Sequence, residues 1–443
     1  MYKFFLFFIF SISCFSQIIS YELVQTWTTN QVQQMYNNNG IPSEAGDIHF
    51  AVEGYKIVYF TPDHTGELVL CSGAIYLPKN TECASPILAW QHGTTASDAW
   101  VPSNIYSDNN VIGALGASQG YIVIMSDFIG LGEGVGFHNY VHADTEASST
   151  IDLILYGKQF AYSKGVDPSN QLFLMGYSQG GHATMATVRE IEENYSDQLQ
   201  ITASAPMAGP YDMSGAQREM LEAGESYPNP GYLPYVLFAY NNIYGLYDDV
   251  SDVLIPPYDS FLFGMYSGSY SMWEINQTLP SIPINIFQPD YYDDYLNNPD
   301  HPFRLALIDN DVYDFIPQHS MRILHCNGDD NVAYENAEVA FNAFIEGGAE
   351  DVTLVDGGNY DHTECASLAI IGGKVWIDSM AEICAPEQSD VVENQLIQNR
   401  KLIYIVDVLG RPFHGISNGE PLIYFFDDGT YEKRFTIFNS SEK

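Results

Sequence analysis

A serine flanked by glycines stands where an apolar run gives way to a helical pattern, and few folds accommodate such a junction. The run is Leu172-Phe173-Leu174-Met175, the junction is Gly176-Tyr177-Ser178-Gln179-Gly180, and Gly181 extends the small residues into the helix. In a G-x-S-x-G elbow the chain turns sharply from strand to helix. That turn lifts the serine oxygen above a sheet, and the glycines prevent clashes on either side. The helix start then presents backbone N–H groups where negative charge develops. Ser178 is therefore the candidate nucleophile.

The surrounding pattern agrees with such a sheet. Short apolar runs predict strands at Lys56–Phe60, Leu68–Leu77, Pro86–Trp90, Tyr121–Ser126, Leu172–Met175, Ile201–Ala205, Met321–Cys326 and Val352–Val355. Helical patterns fall at Ser148–Tyr162, Gly180–Tyr195, Tyr334–Glu346 and Cys365–Ser379, the first opened by the capping residues Ser148-Ser149-Thr150. Strands alternating with helices predict a mainly parallel, doubly wound central sheet, and the elbow at its strand-to-helix junction points to the α/β-hydrolase fold. The alternation stops over 210–317, a stretch rich in aromatic residues, Pro and Gly. It lies between the sixth and seventh of these strands, where an insertion covers the carboxyl ends of a sheet and the ligands that bind there. It is expected to be a cap, the alternative being a helical subdomain with no ligand role. The hydrolase core is then split into 17–209 and 318–385.

A serine needs a base, and the base an acid, in the chain order Ser, Asp or Glu, His for this fold. After the next-to-last core strand comes Asn327-Gly328-Asp329-Asp330-Asn331-Val332, and after the last Asp356-Gly357-Gly358-Asn359-Tyr360-Asp361-His362. His362 precedes a helix at the end of the hydrolase region, where the base belongs. Asp329, three residues before Val332, is the favoured acid, with Asp330 the adjacent alternative and Asp356 and Asp361 more distant ones. Gln179 is expected to donate one oxyanion N–H, and Gly93 or Thr94 in Gln91-His92-Gly93-Thr94-Thr95 the second. The alternative for His92-Gly93 is a tight turn without that role.

Charge and export signals narrow the partners. The 16 Lys and Arg stand against 56 Asp and Glu, a formal net charge of -40. Such a surface repels nucleic acid and anionic membranes. Lys3 followed by Phe4-Phe5-Leu6-Phe7-Phe8-Ile9-Phe10, then small and polar residues to Ser16, describes a secretory signal peptide over 1–16. A lipoprotein site at Cys14 is disfavoured because Ser11-Ile12-Ser13 lacks the usual leucine. No stretch reaches the ~20 apolar residues of a membrane span. In an oxidising compartment Cys71 and Cys83 are expected to pair, as are Cys365 and Cys384, leaving Cys326 a buried free thiol. No cysteine or histidine spacing suggests a metal site, and no metal or organic cofactor is expected.

The polar stretch 386–399 reads as a linker before a β-rich module at 400–443 with turn signals at Leu409-Gly410, Asn418-Gly419 and Asp428-Gly429. Strands are expected at Leu402–Val408, Pro421–Phe426 and Thr430–Ile437. Lys401-Leu402-Ile403, Val406-Asp407-Val408-Leu409-Gly410-Arg411, Tyr424-Phe425-Phe426-Asp427-Asp428-Gly429-Thr430 and Glu432-Lys433-Arg434 resemble the C-terminal sorting domain of type IX secretion cargo. The resemblance implies type IX machinery as a partner and a secreted or cell-surface protein, usually trimmed of the module.

Within the core, QHGTT, then Ser126-Asp127-Phe128-Ile129-Gly130-Leu131-Gly132, GYSQGG, GDDNV and the final Asp361-His362 resemble the secretory lipase family of capped α/β-hydrolases. The similarity runs from about Tyr55 to Cys384, with Ala333 replacing the proline that commonly follows the valine. It implies a small-molecule ester or lipid substrate, with Ser178, Asp329 and His362 as triad and Asp127 in a shaping loop. A serine peptidase of the same fold would use identical machinery. A non-catalytic adhesin would be expected to have lost triad members, and none is lost.

Overall fold

The computed structural model describes residues 18–42, 45–107, 109–383, 402–407, 421–426 and 431–435. The signal segment 1–16, Cys14, Cys384 and the linker 386–399 lie outside them. The first strands are β1 (Ile18–Trp27), β2 (Val52–Pro62), β3 (Leu68–Pro78), β4 (Ser85–Gln91), β5 (Ile122–Ser126) and β6 (Pro168–Tyr177). They are followed by β7 (Ile201–Met207), β8 (Ser320–His325) and β9 (Val352–Asp356). These nine form one sheet in the order β1-β2-β3-β5-β4-β6-β7-β8-β9. β1, β2 and β3 run antiparallel and β3 meets β5 antiparallel, while every pair from β5 through β9 is parallel. This is the expected α/β-hydrolase fold.

Helices α1 (Thr29–Asn38), α2 (Asn109–Ser118), α3 (Ala143–Ser163) and α4 (Gln179–Glu190) come from the first half of the chain. Buried residues of α3 and α4, such as Ile151, Leu153 and Met185, join one face of the sheet through Ile75, Ala89 and Leu174. Ala114 and Ala117 of α2 join the other face, through Tyr76, Leu88 and Phe173. Between β7 and β8 lie α5 (Ala216–Glu222), α6 (Tyr232–Tyr244), α7 (Tyr258–Met265), α8 (Met272–Asn276), α9 (Pro289–Asn297) and α10 (Pro302–Asp309). The insertion has its own apolar core, where Tyr235 stacks on Tyr140 with ring centroids 4.4 Å apart and lies 4.5 Å from Tyr266. α11 (Glu335–Gly347) and α12 (His362–Asp378) close the hydrolase region, with α11 joining the face of α3 and α12 that of α2. β10 (Leu402–Asp407), β11 (Pro421–Phe426) and β12 (Tyr431–Phe435) form a separate antiparallel sheet.

Several expectations need correction. α3 starts at Ala143 behind His142, which makes no side-chain cap bond. Ser148 and Ser149 sit inside the helix, and Ser149 Oγ donates to the Thr145 carbonyl at 2.8 Å. A serine that back-bonds within a helix looks like a cap in sequence, because both uses satisfy the same short hydroxyl. α2 was not expected: Asn109, Asn110, Gly113, Gly116 and Ser118 depress helix propensity, and its buried alanines override it. α1 opens with a capping box, Thr28 Oγ1 accepting from Gln31 N at 3.3 Å and Gln31 Oε1 from Thr28 N at 2.9 Å.

The cysteine pairing is also corrected. Cys326 is no free thiol but is bonded to Cys365, so Cys365 is unavailable to Cys384. Cys71 is the buried free cysteine, and Cys83, itself disulfide-bonded, is therefore not its partner. Cys71 lies in β3, buried in the core cluster with Tyr59 and Ile75. The Cys326–Cys365 bond closes a sequence separation of 39 residues. Loop-entropy arithmetic for that length gives about 4 kcal/mol. A Cys326→Ala/Cys365→Ala variant should lose stability of that order in urea unfolding under non-reducing conditions. A loss well under 1 kcal/mol would show that the link constrains little.

Candidate active site

The elbow is built by close approach. Ser178 adopts φ 63° and ψ −123°, a region sparsely populated by residues with a Cβ. Its N–H donates to the Met207 carbonyl at 2.9 Å, fixing the end of β6 to the end of β7. A Cβ on Gly176 would meet the Gly180 carbonyl, and one on Gly180 the Gln91 carbonyl, so neither position admits a side chain. Gln179 opens α4, and as its first residue has no intrahelical acceptor for its N–H.

A continuous hydrogen-bonded line starts at the serine. Ser178 Oγ lies 2.9 Å from His362 Nε2, and His362 Nδ1 lies 2.6 Å from Asp329 Oδ2. The carboxylate needs a donor, so Nδ1 carries the proton and the Nε2 lone pair faces the serine hydroxyl. His362 is the first residue of α12 behind Asp361, whose side chain caps the helix by accepting from Glu364 N at 2.9 Å. Tyr177 OH holds the His362 carbonyl at 2.6 Å.

Asp329 is fixed from every side. Oδ1 accepts from Asn331 N at 2.9 Å and Val332 N at 2.8 Å, the tight turn behind the D-x-x-V spacing. His325 Nε2 lies 3.2 Å from Asp329 Oδ2 and 3.1 Å from the Val332 carbonyl, both acceptors, so it too donates. Burial alone would raise the carboxyl, but hydrogen bonds and charge from His325 and His362 overcome it and hold Asp329 well below the usual range. Asp330 accepts from the His362 backbone N–H at 3.3 Å and from Asn331 Nδ2 at 2.8 Å, and makes no bond to the imidazole. Asp356 is taken up by Asn327 and Gly358.

The Gln91–Thr95 loop passes beside the serine. A Cβ on Gly93 would stand 3.4 Å from the Tyr177 carbonyl and 3.8 Å from Ser178 Cβ. Thr94 Oγ1 shares a 2.9 Å hydrogen bond with Tyr140 OH. Behind the loop His92 Nε2 lies 3.2 Å from the Asp127 carbonyl, with its ring 4.5 Å from that of Phe128. The Asp127 carboxylate accepts from Ser72 Oγ at 2.5 Å and Ser103 N at 2.7 Å. Burial pushes Asp127 up to about 6.

Ser178 and Gln179 line a cavity of about 370 Å³ roofed by Tyr140, Tyr227 and Tyr232. Met213, Gln217, Leu221 and Val236 are shared with a second, apolar cavity of about 410 Å³ inside the insertion. The insertion also grips the Asp329 turn: the Asn331 carbonyl accepts from Tyr227 OH at 2.6 Å and Gln217 Nε2 at 3.0 Å. His325, Gln217 and Tyr227 were not among the expected site residues. His325 stands in the strand leading to GDDNV and was open to suspicion, whereas nothing local marks Gln217 or Tyr227. Among the described residues no cluster of metal-ligating side chains forms, and no helix is long and apolar enough to cross a membrane.

Residues 103–245 match the sequence model of the secretory lipase family. In structure the chain is similar to the rice cell wall degrading esterase LipA of Xanthomonas oryzae in its ligand-bound form. That likeness has 29% identity and a TM-score of 0.72, covering 82% of this chain and 96% of that one. A candidate hydrolase from Legionella pneumophila is 26% identical at a TM-score of 0.76, covering 85% of this chain and 100% of that one. Lipase A of Candida antarctica, at 17% identity, TM-score 0.60 and 84% coverage of each chain, shares the fold. No curated protein matches by sequence. These likenesses support a hydrolase of the esterase and lipase kind.

Asp127 carries a consequence for stability. Its folded-state pKa is raised from an ordinary value near 4 to about 6, so the folded protein holds this proton more tightly than the unfolded chain. Folding is therefore penalised as pH rises from about 4 to about 6, and the penalty persists above that. Asp127→Asn should gain stability relative to the parent across this window, on the order of 3 kcal/mol for the two-unit shift. Urea unfolding at pH 4 and pH 7 measures it, and a difference that does not change with pH would refute the burial argument.

Proposed function

We propose that this chain is an exported serine esterase or lipase whose triad is Ser178, His362 and Asp329. The carrying observation is the line from Ser178 Oγ through both nitrogens of His362 to Asp329, 2.9 and 2.6 Å in its two links, at a cavity wall. In this reading His362 Nε2 takes the Ser178 proton as Oγ attacks the ester carbonyl. Asp329 holds the tautomer and stabilises the imidazolium. Backbone N–H groups of Gln179 and of Gly93 or Thr94 hold the oxyanion. The alcohol leaves with the proton from His362, and water, deprotonated by the same nitrogen, then cleaves the acyl–Ser178 ester.

The apolar cavity within the insertion 210–317, here read as the cap, favours an acyl chain, whose burial gains about 0.8 kcal/mol per CH₂. The peptidase reading fares worse because the insertion's cations are Arg218 and Arg304. Arg218 is already paired with Glu222 at 2.7 Å, and Arg304, which donates to the Leu296 carbonyl at 3.1 Å, lines neither cavity, so neither is placed to take a peptide carboxylate. Export rests on the signal segment 1–16 and on the 400–443 module as a type IX sorting domain, and a disulfide-bonded core suits that destination.

The test is a panel of p-nitrophenyl acyl esters and aminoacyl amides, run on the parent, Ser178→Ala and Asp329→Asn. Esters should outrun every amide, with rates rising with chain length until the cavities fill. Ser178→Ala should lose several powers of ten, and Asp329→Asn should fall far more than Asp330→Asn. Amide turnover above every ester, vanishing in Ser178→Ala, would make the protein a peptidase. A tenth of the activity surviving in Ser178→Ala would remove Ser178 as nucleophile.

Export has its own measurement. Protein recovered outside the native cell should end within the linker 386–399 by intact mass. Material running to Lys443 in the medium would count against the sorting-domain reading.

A further inference from the structure

Glu146 is buried to 1% exposure and is the one glutamate in the buried set among the described residues. A carboxylate so placed is costly unless both oxygens are bonded. Both are: Oε1 accepts from Gln179 Nε2 at 2.8 Å, and Oε2 lies 2.7 Å from His182 Nδ1. His182, on the same helix as Gln179, points its Nε2 at the Asn310 carbonyl at 3.0 Å. A carbonyl only accepts, so Nε2 carries a proton. The 2.7 Å contact needs one more, shared between Glu146 and His182, and the pair is neutral overall.

The other face of the Gln179 amide is also held. Its Nε2 lies 2.9 Å from His138 Nε2, and His138 Nδ1 lies 2.9 Å from the Ile129 carbonyl. Burial pushes His138 down to about 3, so the ring is neutral, donates from Nδ1 to Ile129 and accepts from Gln179 at Nε2. Both amide hydrogens of Gln179 are thereby spent on buried acceptors from outside α4, Glu146 of α3 and His138 of the loop before it. Nothing in the triad requires this. The residue so clamped is the one whose backbone N–H faces the developing oxyanion in the function proposed above.

We propose that Glu146 is a positioning residue, fixing the Gln179 N–H through the Gln179 carboxamide. The geometry specifies its own conservative replacement. In Glu146→Gln the new Oε1 still accepts from Gln179, and the new NH₂ donates to His182 Nδ1, whose other nitrogen keeps its proton on Asn310. All three hydrogen bonds survive.

Steady-state hydrolysis of a short p-nitrophenyl ester tests this, with thermal unfolding as the check on folding. Glu146→Leu and Gln179→Leu should each lower kcat about 10- to 100-fold with KM within about twofold, less than the 10²–10³ of a deleted oxyanion donor. The double variant should be no worse than the weaker single, because both act through one amide. Glu146→Gln should stay within about threefold of the parent. A folded Glu146→Leu with parental kcat, losses that add in the double variant, or Glu146→Gln as damaged as Glu146→Leu would each overturn the assignment. If Glu146→Leu does not fold, a parental kcat in Gln179→Leu overturns it. Activity surviving Ser178→Ala would sink the proposed function instead, which keeps the two failures apart.

Discussion

The strained backbone at Ser178 is the constraint on which the rest depends. A side chain held at φ 63° costs on the order of 1–3 kcal/mol and persists only where its surroundings leave no alternative. Here the surroundings are the carboxyl ends of β4, β6 and β7, packed so closely that the Gln91 and Met207 carbonyls touch the elbow backbone. The same closeness brings Gly93 past the serine and aims the first turn of α4 into the cavity. It also places His182, four residues on from Ser178, within reach of Glu146 on the neighbouring helix. Strain at one residue and order in the helix behind it are thus one arrangement.

The hydrogen-bonded line from Ser178 through His362 to Asp329 is held by a second device. Cys326 lies three residues before Asp329 and Cys365 three after His362, so their disulfide ties the turn carrying Asp329 to the helix that His362 opens. The insertion holds that turn from the other side, Tyr227 and Gln217 bonding to the Asn331 carbonyl. Gln217 also lines both cavities. The insertion thus buttresses the Asp329 turn.

The local signals in the sequence were of uneven reach. Short apolar runs marked the core strands, and helical patterns marked α3, α4, α11 and α12, because each reports its own burial. The elbow was legible because its glycines answer a steric demand within five residues. Asp329, not Asp330, meets the His362 imidazole, and the D-x-x-V spacing encodes the turn in which Asp329 Oδ1 takes the Asn331 and Val332 N–H groups. Pairings across the fold left no such trace. Cys365 chose Cys326 over the nearer Cys384, and Cys71 turned inward, because strand order decides which thiols meet. Glu146 was hidden for a related reason: it lies in the first turn of α3, and Ser148 and Ser149 imitated a cap one turn too late.

The same fold contains a second serine–histidine–carboxylate line, and it shows what the first requires. Ser204 Oγ lies 2.7 Å from His319 Nε2, and His319 Nδ1 lies 2.6 Å from Glu192 Oε1. By distance these are as good as the links at Ser178. Yet Ser204 sits within β7, fully buried, on regular strand backbone with no helix start facing its oxygen. Its line joins β7, the segment entering β8 and the helical turn Ile191–Tyr195 directly after α4, which is a structural task. Ser178 differs in what the elbow confers: an oxygen at a cavity wall, a helix N-terminus beside it and a glycine loop passing close by. A hydrogen-bonded triad orients a proton. Only where an ester carbonyl can reach the oxygen, and fixed donors await its charge, does moving that proton become chemistry.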